Sequence, residues 1–185
     1  MISRRIKLTD GVIVLKPVDR RDVPSQFKSI IASKKELHPW MPWCHAKYSI
    51  KETRGWVKMQ LKNWKEGSEY SFNILEAKTK KHLGGCGLNK IDYVNKGANL
   101  GYWVRSDSTG RGVASRATRL LAKFGLHQLK LQRVEICMAV QNTGSRRVAE
   151  KAGAVYEGVL RNKIAQNGRA VDAFMFSLIP GDLKK

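Results

Sequence analysis

The chain is predicted to be an α+β protein, a three-layer α/β arrangement around one mixed, mostly antiparallel sheet of about seven strands flanked by about four helices. Three observations predict it. Between Tyr70 and Val104 lie three short apolar runs joined by brief turns, which read as an antiparallel meander. Behind them Val113, Ala117, Leu120, Leu121 and Phe124 fall on one face of a 3.6-residue period, which reads as a helix. The remainder reads as strand, helix and hairpin. No repeat, low-complexity segment or linker interrupts the sequence, so residues 1–185 are expected to form one domain.

Taken in order, Ile6 to Lys16 alternates loosely and stops at Pro17, as a first strand does. Asp19 is a fitting N-cap for a helix carrying Val23, Phe27, Ile30 and Ile31, with Pro24 tolerated near its start. His38-Pro-Trp-Met-Pro-Trp-Cys-His45 contains Pro39 and Pro42 and is expected to be a loop. Its Trp40 and Trp43 either line a binding cleft or plug the side of the core. Ser49-Ile-Lys-Glu52 is a capping box, followed by Val57, Leu61 and Trp64 at helical spacing and a terminating Gly67. Tyr70–Leu75, Leu83–Tyr93 and Asn99–Val104 form the meander. Gly84, Gly85 and Gly87 mark its middle strand as bulged or closely approached. The helix after Gly112 is expected to reach about Lys130. Arg133–Val140 is a β-branched strand and Ser145–Ala152 a short helix stopped by Gly153. Val155–Ile164 and Val171–Leu178 make a hairpin around Asn167-Gly168.

The net charge is +20, from 35 basic and 15 acidic residues. Such a surface attracts nucleic acid, acidic proteins or polyanionic cofactors, unless it reflects a general bias toward lysine. No apolar stretch approaches the length of a membrane helix, and Met1-Ile-Ser-Arg-Arg5 has no apolar segment behind its charges, so neither a membrane span nor a signal peptide is expected. Cys44, Cys86 and Cys137 are odd in number, far apart and free of CxxC spacing. They read as reduced thiols of a cytoplasmic protein, and no metal is expected.

The stretch Leu100 to Leu121 carries the clearest chemistry. A strand ending at Val104 runs through the polar, glycine-bearing turn Arg105–Gly112 into a helix. A helix start presents unpaired N–H groups and partial positive charge, so it is a ready anion site. Gly110 and Gly112 remove side chains that would hold a phosphate away, and Arg105 and Arg111 offer two further donors. A Walker A loop needs Gly-Lys-Ser/Thr, which is missing here. A dinucleotide fingerprint needs a third glycine and βαβ units, whereas Gly110-Arg-Gly112 leads into Val-Ala-Ser115 after a meander.

These residues resemble the GNAT acetyltransferase superfamily, whose members bind acetyl-CoA. The family motif is Arg/Gln-x-x-Gly-x-Gly/Ala, and here the segment reads Asp107-Ser-Thr-Gly110-Arg-Gly112. Asp107 departs from the motif; the glycines keep to it. Pro39-Trp-Met-Pro-Trp43, Gly101-Tyr-Trp-Val104, Arg133-Val-Glu135, Asn142-x-x-Ser145-x-x-Val-Ala149 and Lys151-Ala-Gly153 leading to Glu157-Gly158 are further marks of it. Together they resemble the branch that acetylates N-termini of ribosomal proteins.

The resemblance implies roles. The pyrophosphate is expected on the backbone of Thr109, Gly110, Arg111, Gly112, Val113 and Ala114, with Ser115 adding a hydroxyl. The main chain of Trp103 and Val104 is expected to carry the acetyl-pantetheine arm, and Asn142 to touch it. Ser145 matches the hydroxyl that meets the leaving thiolate, although it is equally suited to cap the helix it opens. Arg147 or Lys151 is placed to meet a 3′-phosphate, although a solvated helix face equally accounts for either alone. Trp40, Trp43 and Tyr70 are candidates for acceptor contact. The carboxylates that family members use as a base are replaced by Asn99 and Ile164. Glu69, Asp92, His38, His45, His82 or a water relay remain. An α-amine of pKa near 7.7–8.0 needs less help from a base than a lysine near 10.4, which favours an N-terminal acceptor.

Three functions are compatible with this reading. The first is acetyl-CoA-dependent N-acetylation of a protein N-terminus by a monomer or homodimer, with a ribosomal protein that is acidic or RNA-bound as the expected partner. The second is a small-molecule amine acetyltransferase; polyamines and aminoglycosides are disfavoured by the net charge unless a local acidic pocket overrides it. The third is a non-catalytic nucleic-acid binder whose aromatics stack bases.

Overall fold

The structure is a computed structural model that describes residues 2–166 and 168–184. The first predicted strand is in fact a hairpin. Its arms are β1 (Leu8–Thr9) and β2 (Ile13–Pro17), paired Leu8↔Leu15 and Thr9↔Val14. Asp10 Oδ1 accepts from the N–H groups of Val12 and Ile13, at 3.0 Å each, and Gly11 takes φ +86°. A side-chain-capped turn with a left-handed glycine reverses the chain where the sequence suggested one continuous strand.

Asp19 caps a short 3-10 turn (Arg20–Asp22) that leads into α1 (Val23–Ile31), whose Pro24 sits in the first turn. A four-residue α2 (Lys34–Leu37) precedes the proline loop. α3 (Ile50–Glu66) starts at the Ser49/Glu52 capping box and ends at left-handed Gly67, φ +74°. The meander is β3 (Tyr70–Glu76), β4 (His82–Asp92) and β5 (Gly97–Val104). α4 (Val113–Lys123) passes into a π-helical turn, Phe124–Gln128. β6 (Arg133–Ala139), α5 (Thr143–Ala152), β7 (Val155–Gln166) and β8 (Arg169–Leu178) complete the chain. The predicted Asn167-Gly168 turn involves Asn167, which lies outside the described residues. The described residues thus hold eight strands and five α-helices, where about seven and four were expected.

All eight strands share one sheet in the order β1-β2-β3-β4-β5-β6-β8-β7. Among the described residues every pairing is antiparallel except β5 with β6. That parallel pair is brief. It joins Gly97–Asn99 to Arg133–Glu135, after which the two strands part. From Leu100 to Val104, β5 keeps β4 on one side and leaves its other edge open. A wedge therefore splits the sheet beside the glycine loop.

Alternation along β5 decides which residues face which layer. Leu100 is buried with Ala117 and Leu121 of α4, and Tyr102 packs against the same core. Trp103 points to the other layer and packs against Ile30, Leu37 and Cys44. Burying side chains such as Leu100 and Leu121 contributes roughly 1.5–3 kcal/mol each. The glycines of β4 make room for Trp103: a Cβ on Gly84 would lie 2.2 Å from its carbonyl oxygen, and one on Gly85 2.7 Å from its Nε1.

Candidate active site

β5 delivers the chain to the turn Arg105–Gly112, and α4 leads away from it. Gly112 is the N-cap of α4 in left-handed conformation, φ +75°, so no side chain caps the helix. Its first-turn N–H groups stay available to a ligand. Gly110 is also left-handed, φ +74°, and a Cβ on either glycine would meet nothing within 4 Å. The glycines are needed for backbone shape and leave the approach open.

This helix start forms one end of a groove of about 480 Å³. Of the cofactor candidates, Trp103, Val104, Thr109, Gly110, Gly112, Val113, Ala114, Ser115, Asn142, Arg147 and Lys151 line it, as does the catalytic candidate Ser145. Trp40, Leu37 and Met41 close its other wall. No carboxylate among the described residues holds Arg147 or Lys151, so both cations are free for an anion. The open edge of β5 continues the groove into the wedge between β5 and β6, where Gly101, Tyr102, Cys137 and Ser145 meet.

Two expected donors are elsewhere. Arg105 turns its guanidinium to Asp107, at 2.8 and 3.1 Å, and Arg111 pairs with Glu76 at 3.3 Å. Neither lines the groove. Asp107, the departure from the family motif, also accepts from Ser108 Oγ (2.9 Å) and Lys81 Nζ (3.1 Å). The Arg105 guanidinium first, then Ser108 and Lys81, hold its carboxyl well below the usual range. Its charge is neutralised beside the loop instead of facing an incoming phosphate.

The N-cap of α5 is Asn142, whose Oδ1 accepts from Ser145 N–H at 3.0 Å. Ser145 is therefore not the cap, and its hydroxyl is free for another task. It lies 2.8 Å from Tyr102 Oη. The sequence marks Tyr102 only as part of the Gly101–Val104 run and gives its hydroxyl no role; only the approach of α5 gives that hydroxyl a partner. Burial pushes the Tyr102 phenol up to about 12, with the Ser145 bond opposing the rise.

Other candidates move away from the groove. Asp92 sits at the end of β4, beside Gly97, about 17 Å along β5 from Tyr102. It accepts from Val94 N–H, Asn95 N–H and the Asn95 amide, which is a turn role. Glu69 accepts from Gln60 Nε2 at 2.9 Å and lines neither groove nor wedge. Tyr70 is 4% exposed and packs against Trp64 and Phe124 in the core, so it is not an acceptor contact. His82 is buried between Ser29 Oγ and Asn73 Oδ1, at 3.0 Å each, and burial lowers its pKa to about 4. His38 Nδ1 is engaged with the Cys44 carbonyl at 2.9 Å. The two loop tryptophans separate: Trp40 faces the groove, while Trp43 lines a second cavity on the opposite side of Trp103.

Residues 13–155 match the family described as Acetyltransferase (GNAT) domain. The ribosomal-protein-serine acetyltransferase of Escherichia coli is 26% identical over 178 residues, which is 96% of this chain and 98% of that protein. The uncharacterised N-acetyltransferase p20 of Bacillus licheniformis is 35% identical over 114 residues, covering 62% of this chain and 64% of that one. Among solved structures, RimL, a ribosomal L7/L12 α-N-protein acetyltransferase in complex with coenzyme A, superposes with a TM-score of 0.86 at 23% identity, covering 94% and 98% of the two chains. At that identity the likeness is one of fold. With the family matched over most of its length and the splayed sheet and uncapped glycine loop in place, the chain belongs to the GNAT acetyltransferases.

Proposed function

We propose that this protein transfers an acetyl group from acetyl-CoA to the N-terminal α-amine of a protein, with ribosomal proteins as the substrate class. One observation carries the reading: the uncapped, glycine-bare start of α4 and the unpaired edge of β5 form one continuous groove that ends at the Ser145 and Tyr102 hydroxyls. The features of that groove fit coenzyme A. Free N–H groups at the α4 start, with Arg147 and Lys151 opposite, suit phosphates. The open β5 edge suits a chain of amides, which it pairs as a neighbouring strand would.

Acetyl-CoA supplies the acyl group in activated thioester form. The protein's own residues bind, align and manage protons. The β5 main chain orients the arm, which removes most of the entropic cost of bringing two reactants together. Ser145 Oγ–H is placed to stabilise charge on a leaving sulfur, and Tyr102, kept protonated by burial, stands behind it. With Asn99 and Ile164 where family members carry their base carboxylates, an acceptor already partly neutral near pH 7.7–8.0, as an α-amine is, is favoured. The E. coli relative, named for acetylating a ribosomal-protein serine, aligns over nearly the whole chain and supports this acceptor. All eight strands belong to one sheet, which suits a single catalytic domain spanning residues 1–185. The free thiols suit a cytoplasmic enzyme. None of the described helices is long and apolar enough to cross a membrane.

The test is thiol release from acetyl-CoA with peptides carrying a free α-amine, with their N-acetylated twins and with a polyamine. Release with the free-amine peptides alone is expected. Release with the polyamine alone would replace this reading by a small-molecule one.

A further inference from the structure

The second cavity, of about 300 Å³, lies on the far side of Trp103 from the groove, between α1, the loop before α3 and the start of α3. Four aromatic rings wall it: Trp43, Tyr48, Trp56 and Trp103. Trp43 is 5.7 Å from Tyr48 and 6.3 Å from Trp103, centroid to centroid. Gln26 also lines it. That residue is only 4% exposed, and its Oε1 has no hydrogen-bond partner. A buried acceptor left unpaired costs free energy unless a donor arrives.

The charges point the same way. The chain has 35 lysines and arginines, yet none lines this cavity. Its carboxylate is Glu52, whose Oε1 is 2.7 Å from His45 Nε2. A carboxylate only accepts, so His45 donates from Nε2 to Glu52. Ring faces, an amide oxygen and a carboxylate all suit a small organic cation. No lysine or arginine among the lining residues offers an anion a charge partner. Trp103 connects the two sites, because its ring walls this cavity while the groove runs along the same residue.

We propose that this aromatic cavity receives the acceptor's amine as an ammonium ion before transfer and so selects free amino groups; the ammonium gives one proton to water, and the neutral amine then attacks the thioester carbonyl as the coenzyme A thiol leaves. The proposal rests on the acetyl-transfer reading above and names the site of its acceptor.

The test is equilibrium binding to the full chain, read by fluorescence of the cavity tryptophans and by acceptor KM. The probes are a peptide amide with a free N-terminus, its N-acetylated twin, and tetramethylammonium chloride against sodium chloride at equal ionic strength. Trp56→Leu removes a ring, Trp56→Phe restores one, and Glu52→Gln removes the charge while preserving the capping box. The wild type should prefer the free amine to its twin by about ten-fold. Trp56→Leu and Glu52→Gln should each cut that preference and raise acceptor KM about five-fold, with acetyl-CoA affinity retained and Trp56→Phe recovering most of the loss. Folded variants that keep the full preference would overturn the proposal. Acetylation of peptides without any response to tetramethylammonium would overturn the cavity and leave the acetyl-transfer reading standing. A tetramethylammonium response abolished by Trp56→Leu, with no peptide bound or acetylated, would support an ammonium cavity and overturn the peptide acceptor.

Discussion

Tyr102 Oη donates to the main-chain oxygen of Ser145 at 3.1 Å and lies 2.8 Å from its Oγ, tying the open edge of β5 to the first turn of α5. A phenol has one hydrogen. With that hydrogen shared toward the carbonyl, the serine hydroxyl can turn its own into the groove or toward Tyr102. Because Asn142 caps α5, this hydroxyl is not needed to start the helix.

Ser145→Ala should therefore lower kcat about 100-fold with little change in acetyl-CoA affinity, and Tyr102→Phe about ten-fold. The double variant should be no slower than Ser145→Ala by more than about two-fold, because both hydroxyls act through one contact. Steady-state kinetics with thermal melts checks this. An unchanged kcat in folded Ser145→Ala would remove the hydroxyl from catalysis.

Two glycines should respond in opposite ways. Gly84 has φ +157° and its added Cβ would lie 2.2 Å from the Trp103 oxygen. The clash is with backbone, so Gly84→Ala should destabilise the fold by about 3 kcal/mol or more. Gly110, at φ +74°, faces open space. Gly110→Ala should cost only about 1 kcal/mol in stability and weaken acetyl-CoA binding, since the methyl enters the approach to the α4 start. Urea denaturation and calorimetric titration separate the two.

Stability should fall with acid before the carboxylates titrate. Burial holds the His82 imidazole at a pKa of about 4, with Asp22 opposing the shift and Arg105 adding to it. Unfolded histidine titrates near 6.5, so the unfolded chain takes up this proton first. The stabilisation is complete above pH 6.5 and is lost as pH drops toward 4, amounting to roughly 3 kcal/mol. Glu157, held at about 2 chiefly by the Arg133 guanidinium, adds its loss only below about pH 4.5. Urea midpoints between pH 7 and 4.5 should decline in the wild type and flatten in His82→Gln.

Much of the fold was legible because its signals are local. Ser49 and Glu52 announce α3, and Gly67 ends it through a backbone conformation that only glycine adopts easily. The glycine loop before α4 was legible for the same reason. The Asp10-Gly11 reversal was also local, yet it hid inside an alternating apolar run. The π-helical turn after Lys123 was not legible: an added Cβ on Gly125 would be 2.9 Å from Leu88 of β4, a contact made only when the helix packs on the sheet.

By itself the sequence determined most of the elements, the strand meander and the anion-binding start of α4, because caps, turns and periodicity act over a few residues. Only the tertiary structure decided which side chains meet. It turned Arg105 and Arg111 to Asp107 and Glu76, buried Tyr70, and left Asp92 in a distant turn. It also sent Trp40 and Trp43, three residues apart, to opposite sides of Trp103. Those outcomes depend on strands and helices far apart in the chain, where long-range packing chooses each partner.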